Sequence, residues 1–157
     1  MDHQHETKWH RAFWSLFAAQ FQETFSDNAY KFLLISFVTA MELTKSQRDS
    51  FVFAIGALFA IPFILFSMTG GFLADRFSKR SVIIGLKFVE ILVMTLALAG
   101  LAMQSFPLLI TALFLRSTQS ACFSPAKFGL LPELLPERQL SWGNGVFELG
   151  IFLAIIL

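Results

Sequence analysis

Residues 51–74 form an unbroken run of 24 positions without a charged side chain. As a helix rising about 1.5 Å per residue it reaches roughly 36 Å, enough for a hydrocarbon core of about 30 Å with some tilt. Similar apolar stretches follow at about 81–103 and 107–125, and a last one begins near residue 141 and continues to 157. Only residues 104–106 separate the third stretch from the fourth, so the two are joined by a tight turn and run antiparallel. The first stretch, about 11–40, is apolar at both ends and polar in its middle. The pattern predicts an all-α, polytopic membrane helix bundle of four to five helices, with a short segment, residues 1–10, before it.

Composition agrees. Of 157 residues, 55% are hydrophobic and only 15% charged, and 20 are Phe. A soluble domain of this size could not bury so much apolar surface, whereas a lipid solvent removes the difficulty. A net charge of +1 gives no electrostatic reason to expect nucleic acid. One cysteine, Cys122, and no paired Cys or Cys/His spacing leave no basis for an intramolecular disulfide, a metal site or a redox cofactor. The N-terminal residues lack the pattern of a cleaved signal peptide. Seven basic residues (Lys8, Arg11, Arg76, Lys79, Arg80, Lys127 and Arg138) fall on the side of the N-terminus, against Lys45 and Arg48 on the other. The positive-inside rule therefore places the N-terminus in the cytoplasm, with Trp9 and Trp14 in the interfacial belt.

Seven ionisable residues lie within the expected spans: Glu23, Asp27, Lys31, Lys87, Glu90, Arg116 and Glu148. Unpaired in lipid they would cost about 17 to 25 kcal/mol in total, at roughly 2.5 to 3.5 each. They must face inward and be compensated, lining a cavity between helices. Gln20, Glu23, Asp27 and Lys31 step by three, four and four residues and so share one helical face, with Asn28 at its edge. Within that face Asp27 can pair with Lys31. A polar face in mid-membrane reads as a solute path in preference to a packing seam. Arg116 has no acid one turn away in its own helix, so its partner is an acid on another helix or a substrate anion. Lys87 and Glu90, three apart, either pair or leave Lys87 to snorkel toward the interface. Glu148 and Asn144 can line the same cavity from the last helix, and Glu23, Asp27, Glu90 and Glu148 are candidate ion carriers or charge partners.

The segment GFLADRFSKR, residues 71–80, resembles the signature loop of the major facilitator superfamily, with Ser78 where that pattern has its second Gly. Its physical logic is legible: Gly71 permits close helix approach, Asp75 caps or pairs at a helix end, and Arg76, Lys79 and Arg80 hold the loop at the cytoplasmic side. RSTQS, residues 116–120, resembles the superfamily's Arg-x-x-Gln run. QFQETFSDNAYK (20–31), FSPAKFG (123–129) and NGVFE (144–148) are similar to segments of the first helix, the stretch that follows the fourth and the opening of the fifth in bacterial lysophospholipid transporters. Glu23 departs from the small or apolar residues usual at its position.

That resemblance implies the first four to five helices of the N-terminal half of a twelve-helix transporter in the bacterial inner membrane. It would move lysophospholipid by alternating access, and have no catalytic residue and no cofactor. Membrane lipid is then both substrate and solvent, and the C-terminal half of the transporter is the partner this chain lacks. Asp27, Asn28, Lys31 and Lys127 carry over as substrate-binding residues, and Arg116 joins them by the burial argument. Asp75 and Arg76, with Gly71, Lys79 and Arg80, form the gating loop. Some relatives are joined to an acyltransferase, which makes a lipid-delivery module the alternative. A transporter of another small solute and a small oligomeric four-helix protein complete the set. On this reading the chain ends inside the fifth helix.

Overall fold

The computed structural model describes the backbone of residues 2–157 and the side chains from Trp9 onward, so Lys8 lies outside the described side chains. Five helices follow one another: α1 (Asp2–Thr39), α2 (Lys45–Arg76), α3 (Lys79–Ala102), α4 (Phe106–Leu134) and α5 (Leu140–Ile156), the last preceded by a 3-10 turn at Glu137–Gln139. No strand occurs among the described residues. The sequence explains the boundaries. Thr44 caps α2 reciprocally with Gln47, Ser78 caps α3, and Pro107 sits in the first turn of α4, where its missing N–H has no helical partner to lose. The tight turn before α4 places Gln104 at φ 50°, the one positive φ among the described non-glycine residues.

Helices outrun the apolar stretches that announce them. Residues 2–10 continue α1 as helix, and α4 extends nine residues past the expected end at 125. Pro125 and Pro132 do not stop α4, because packed neighbouring helices hold a membrane helix through the loss of a single backbone bond. The FSPAKFG segment, expected after the fourth helix, is therefore part of it. Helices α2, α3 and α4, and α5 taken together with the 3-10 turn before it (Glu137–Ile156), are each long and apolar enough to cross a membrane; α1, with its polar centre, is not among the four.

Helix α4 is the hub. It packs extensively on both α2 and α3, which touch each other little, and more lightly on α1, while α5 leans on α1. Two apolar clusters form. One gathers Phe13, Leu16, Phe123, Ala126, Leu131 and Phe147; the other gathers Tyr30, Leu34, Ile55, Val93, Leu109 and Leu113. Low-numbered residues of α1 meet high-numbered residues of α4 and the reverse, so these helices are antiparallel. Residues 20–27 of α1 and 116–120 of α4 fall between the clusters. The outer surface is the inverse of a soluble protein's, with Phe32, Phe53, Ile64, Met68, Phe88 and Leu92 mostly exposed.

The close approach of α2 and α4 rests on Gly70, not on Gly71 as the loop signature suggests. A Cβ on Gly70 would stand 2.8 Å from the Cys122 Cα and 2.9 Å from the Ala121 carbonyl oxygen, whereas one on Gly71 would meet nothing within 4 Å. That carbonyl is the one Pro125 would have bonded had it an N–H, so the backbone of α2 closes over an acceptor freed by proline. Gly70→Leu in the full-length protein is expected to cost about 1 to 3 kcal/mol by forcing α2 from α4. Gly71→Leu should leave stability within about 0.5 kcal/mol. Thermal unfolding in detergent of both variants checks the contrast, and equal effects would refute it.

Candidate functional site

A layer of buried charge lies between the two apolar clusters. Glu23 and Asp27 come from α1, Glu90 from α3, and Arg116, Gln119 and Ser120 from α4, all buried. Arg116 is at its centre with no exposed surface. Its Nε lies 2.8 Å from Asp27 Oδ1, a close ion contact without the alignment of a hydrogen bond, and its Nη2 lies 3.2 Å from Glu90 Oε1. Nη2 also donates to the Glu23 carbonyl at 3.1 Å, and Nη1 donates to Gln119 Oε1. Gln119 Nε2 in turn donates to Glu23 Oε1 at 3.1 Å, and Ser120 Oγ to Asp27 Oδ2 at 2.9 Å. The helical spacing from 116 to 119 and 120 puts all three α4 side chains over one face of α1.

Lys87 extends this layer toward α3. Its Nζ donates to Glu90 Oε2 at 2.7 Å, Glu23 Oε2 at 3.0 Å, Gln22 Oε1 at 2.8 Å and the Ala19 carbonyl at 3.1 Å. Lys87 thus does pair with Glu90, and it turns inward instead of snorkelling. The layer holds three carboxylates and two cations. The expected pair of Asp27 with Lys31 is not formed, because Arg116 and Ser120 take up the Asp27 carboxylate. Lys31 instead lies over the Phe59 ring, 4.2 Å from its centroid. Asn28 turns back on its own helix and donates to the Thr24 carbonyl at 2.9 Å.

Lys127 is buried and has no carboxylate within salt-bridge distance among the described residues. Its ammonium stands 4.8 Å from the Phe128 centroid and 5.9 Å from that of Phe123, within the electrostatic reach of Glu23, Asp27 and Glu148. Lys31 and Lys127 are therefore the two described cations inside the bundle that face aromatic rings instead of acids. Glu148 and Asn144 are exposed on α5, outside the charge layer, while Gly143, Phe147, Gly150 and Ala154 form the buried face of that helix.

The charged layer does not line a wide interior cavity. It reaches the surface at a cleft of about 560 Å³ between α1 and α3, with Gln22, Ser26, Lys87 and Glu90 at its polar part and Met94 and Leu98 at its apolar part. Gln22 links the two helices by donating to Glu90 Oε1 at 2.7 Å. Its partner across the bundle could not be read from a spacing within one helix.

At the α2–α3 loop the roles fall differently from the expectation. Asp75 is exposed and caps nothing; Ser78 caps α3, accepting from the Ser81 N–H at 3.2 Å. With φ −62° this Ser needs no glycine-like conformation, so the departure from the family pattern leaves the turn tight. Lys79 forms an ion pair with Glu133 of α4, a residue the motifs do not mark. Arg76 lies over the Phe72 ring, 5.7 Å from its centroid, and Arg80 is exposed.

Sequence comparisons are consistent with this arrangement. Residues 13–157 match the profile of the Major Facilitator Superfamily. The lysophospholipid transporter LplT of Escherichia coli (strain SE11) is 30% identical over 158 residues, covering 99% of this chain and 36% of that protein. Its counterpart from Citrobacter koseri is 31% identical over the same shares, and that of Salmonella paratyphi B is 29% identical over 95% of this chain and 35% of its own. The chain spans about a third of the length of the curated relatives it matches. No solved structure matches it. With four apolar helices of spanning length, a buried charge layer and a profile match from residue 13 to 157, the chain is a multi-pass membrane helix bundle that belongs to the Major Facilitator Superfamily.

Proposed function

We propose that this chain is the N-terminal part of a transporter that moves lysophospholipid across the bacterial inner membrane, with its N-terminus in the cytoplasm. The observation that carries the reading is the pair of cations, Lys31 and Lys127, held against aromatic rings with no described carboxylate bridging either. A cation–π contact compensates only part of the cost of an ammonium group away from water. A phosphate supplies the missing partner through charge-assisted hydrogen bonds. The names of the relatives point to a phosphate-bearing cargo of that kind. Such a cargo is amphiphilic, and the Phe-rich walls accommodate its acyl chain.

Asp27 and Arg116 divide the work. Arg116, wholly enclosed and contacted by two carboxylates, keeps α1, α3 and α4 in register and does not meet the substrate in this state. Asp27 holds Arg116 on one oxygen and Ser120 on the other, so movement of α1 against α4 has to break both contacts together. That makes Asp27 the group through which a rocking bundle would feel an occupied site. No bond of the substrate is broken, and transport here is not an enzymatic reaction. Asp75, exposed and bridged to no described residue at the end of α2, serves the latch toward the second half of the transporter.

Two contrasting outcomes test these assignments in the full-length protein. Lys127→Gln is expected to raise the KM for lysophospholipid uptake into vesicles about tenfold or more, given roughly 1.5 to 3 kcal/mol for a hydrogen bond to a charged group, with little change in the unfolding temperature. Uptake unaltered at equal expression would overturn the phosphate site. Arg116→Leu is expected to lose about 3 to 5 kcal/mol of stability by leaving Asp27 and Glu90 buried without their cation. The double variant Arg116→Leu with Asp27→Leu should recover part of that loss in a thermal melt, and a melt as low as that of the single variant would show that the pair is not the source.

A further inference from the structure

Gln20 is buried on α1, at the end of the polar face that carries Glu23 and Asp27. Its amide nitrogen donates to the Thr24 hydroxyl at 2.7 Å, which turns the amide along its own helix. The Oε1 atom on the other side is enclosed and has no hydrogen-bond partner among the described residues. A buried acceptor without a donor is destabilising, and native structures hold few of them. Asp27 Oδ1 and Arg116 Nε, also without a hydrogen bond, at least face each other as an ion pair. Gln20 Oε1 has no such counterpart among the described residues.

The packing of α1 on α4 brings a cation to the same level. The two helices are antiparallel, and Asp27 accepts from the Ser120 hydroxyl at 2.9 Å. Gln20 stands seven residues before Asp27, and Lys127 seven residues after Ser120. Seven residues make nearly two full turns, so both positions return to the facing sides of their helices at one level of the bundle. In keeping with that register, Lys127 lies within electrostatic reach of Glu23, the next polar residue after Gln20 on the same face. Its ammonium faces the Phe123 and Phe128 rings and is bridged to no described carboxylate. Just beyond this level, Leu16 and Phe123 belong to an apolar cluster. An acceptor that lacks a donor thus stands level with a cation that lacks an anion, at the border of apolar surface.

That combination suits a ligand with a hydroxyl beside a phosphate: the hydroxyl donates to the amide oxygen, and the phosphate accepts from the ammonium. A glycerophospholipid with a single acyl chain carries such a hydroxyl on its glycerol. In a diacyl lipid the same oxygen is esterified and has no proton to donate, which would leave Gln20 unpaired. A site built to hydrogen-bond a hydroxyl rejects an analogue lacking it far more strongly than an apolar pocket rejects a change in bulk.

We propose that Gln20 reads the free glycerol hydroxyl of a lysophospholipid whose phosphate is held by Lys127, and so is the residue by which the protein tells a lysolipid from a diacyl lipid. This rests on the phosphate role of Lys127 and adds the contact that selects for a missing acyl chain. Both groups are enclosed in this state, and movement of α1 against α4 admits the lipid to them.

The test compares uptake of 1-oleoyl lysophosphatidylethanolamine with that of its 2-deoxy analogue, which lacks only the hydroxyl, into vesicles holding the full-length protein. Wild type is expected to show a KM about tenfold higher for the deoxy lipid, because its binding leaves a buried acceptor unpaired. Gln20→Leu should raise the KM for the lysolipid to that for the deoxy lipid and leave the latter nearly unchanged. Lys127→Gln should raise both KM values by the same factor and keep their ratio. sn-Glycerol 3-phosphate, with the hydroxyl and phosphate but no chain, should compete far more weakly than the lysolipid; equal competition would assign the site to a soluble phosphate ester and overturn the proposal. Equal KM values in wild type, or a Gln20→Leu variant that weakens uptake of both lipids alike as a structural residue would, overturns the role of Gln20 and leaves the phosphate site standing. Uptake of both lipids unaltered by Lys127→Gln removes the phosphate site and this inference with it.

Discussion

Arg116 carries a permanent charge at a point with no exposed surface, and the rest of the bundle is arranged around that fact. An uncompensated guanidinium in the interior is prohibitively costly, so three helices must deliver acceptors to it at once: Asp27 and the Glu23 carbonyl from α1, Glu90 from α3, and Gln119 from α4 itself. Lipid offers no hydrophobic force between helices, and close packing with polar contacts has to take its place. The charge layer therefore does for α1 and α3 what Gly70 does for α2. One holds by electrostatics, the other by the absence of a side chain.

The excess of carboxylates over cations in the layer ties that core to its surroundings. Glu23, Asp27 and Glu90 outnumber Lys87 and Arg116 by one, and Lys127 stands within electrostatic reach of two of the three acids. No described carboxylate bridges that lysine. Asp27, one of the two acids, is where α1 grips α4, holding Arg116 on one oxygen and Ser120 on the other.

The loop between α2 and α3 shows how a family pattern and a particular structure divide the labour. Residues 71–80 were recognisable by their order, and the basic residues do lie at a helix junction. Yet the close contact passes through Gly70, the cap is Ser78, and the anchoring pair is Lys79 with Glu133. Each of these depends on which side of α2 and α3 meets α4, a rotation that a linear motif does not record.

The sequence alone determined the solvent and the class. A 24-residue uncharged run, apolar stretches of spanning length and 20 phenylalanines admit few architectures besides a membrane bundle, because backbone polar groups in lipid must be satisfied within helices. The helical step also placed Gln20, Glu23 and Asp27 on one face, all three buried as expected. What it could not decide was the partner of each charge. Asp27 was within reach of Lys31 one turn away, and the choice fell to Arg116, 89 positions later in the chain, because α4 lies antiparallel against α1 and brings a guanidinium and a hydroxyl to the same carboxylate. Local spacing sets which pairs are within reach; desolvation across packed helices selects among them, and that selection exists only in the tertiary structure.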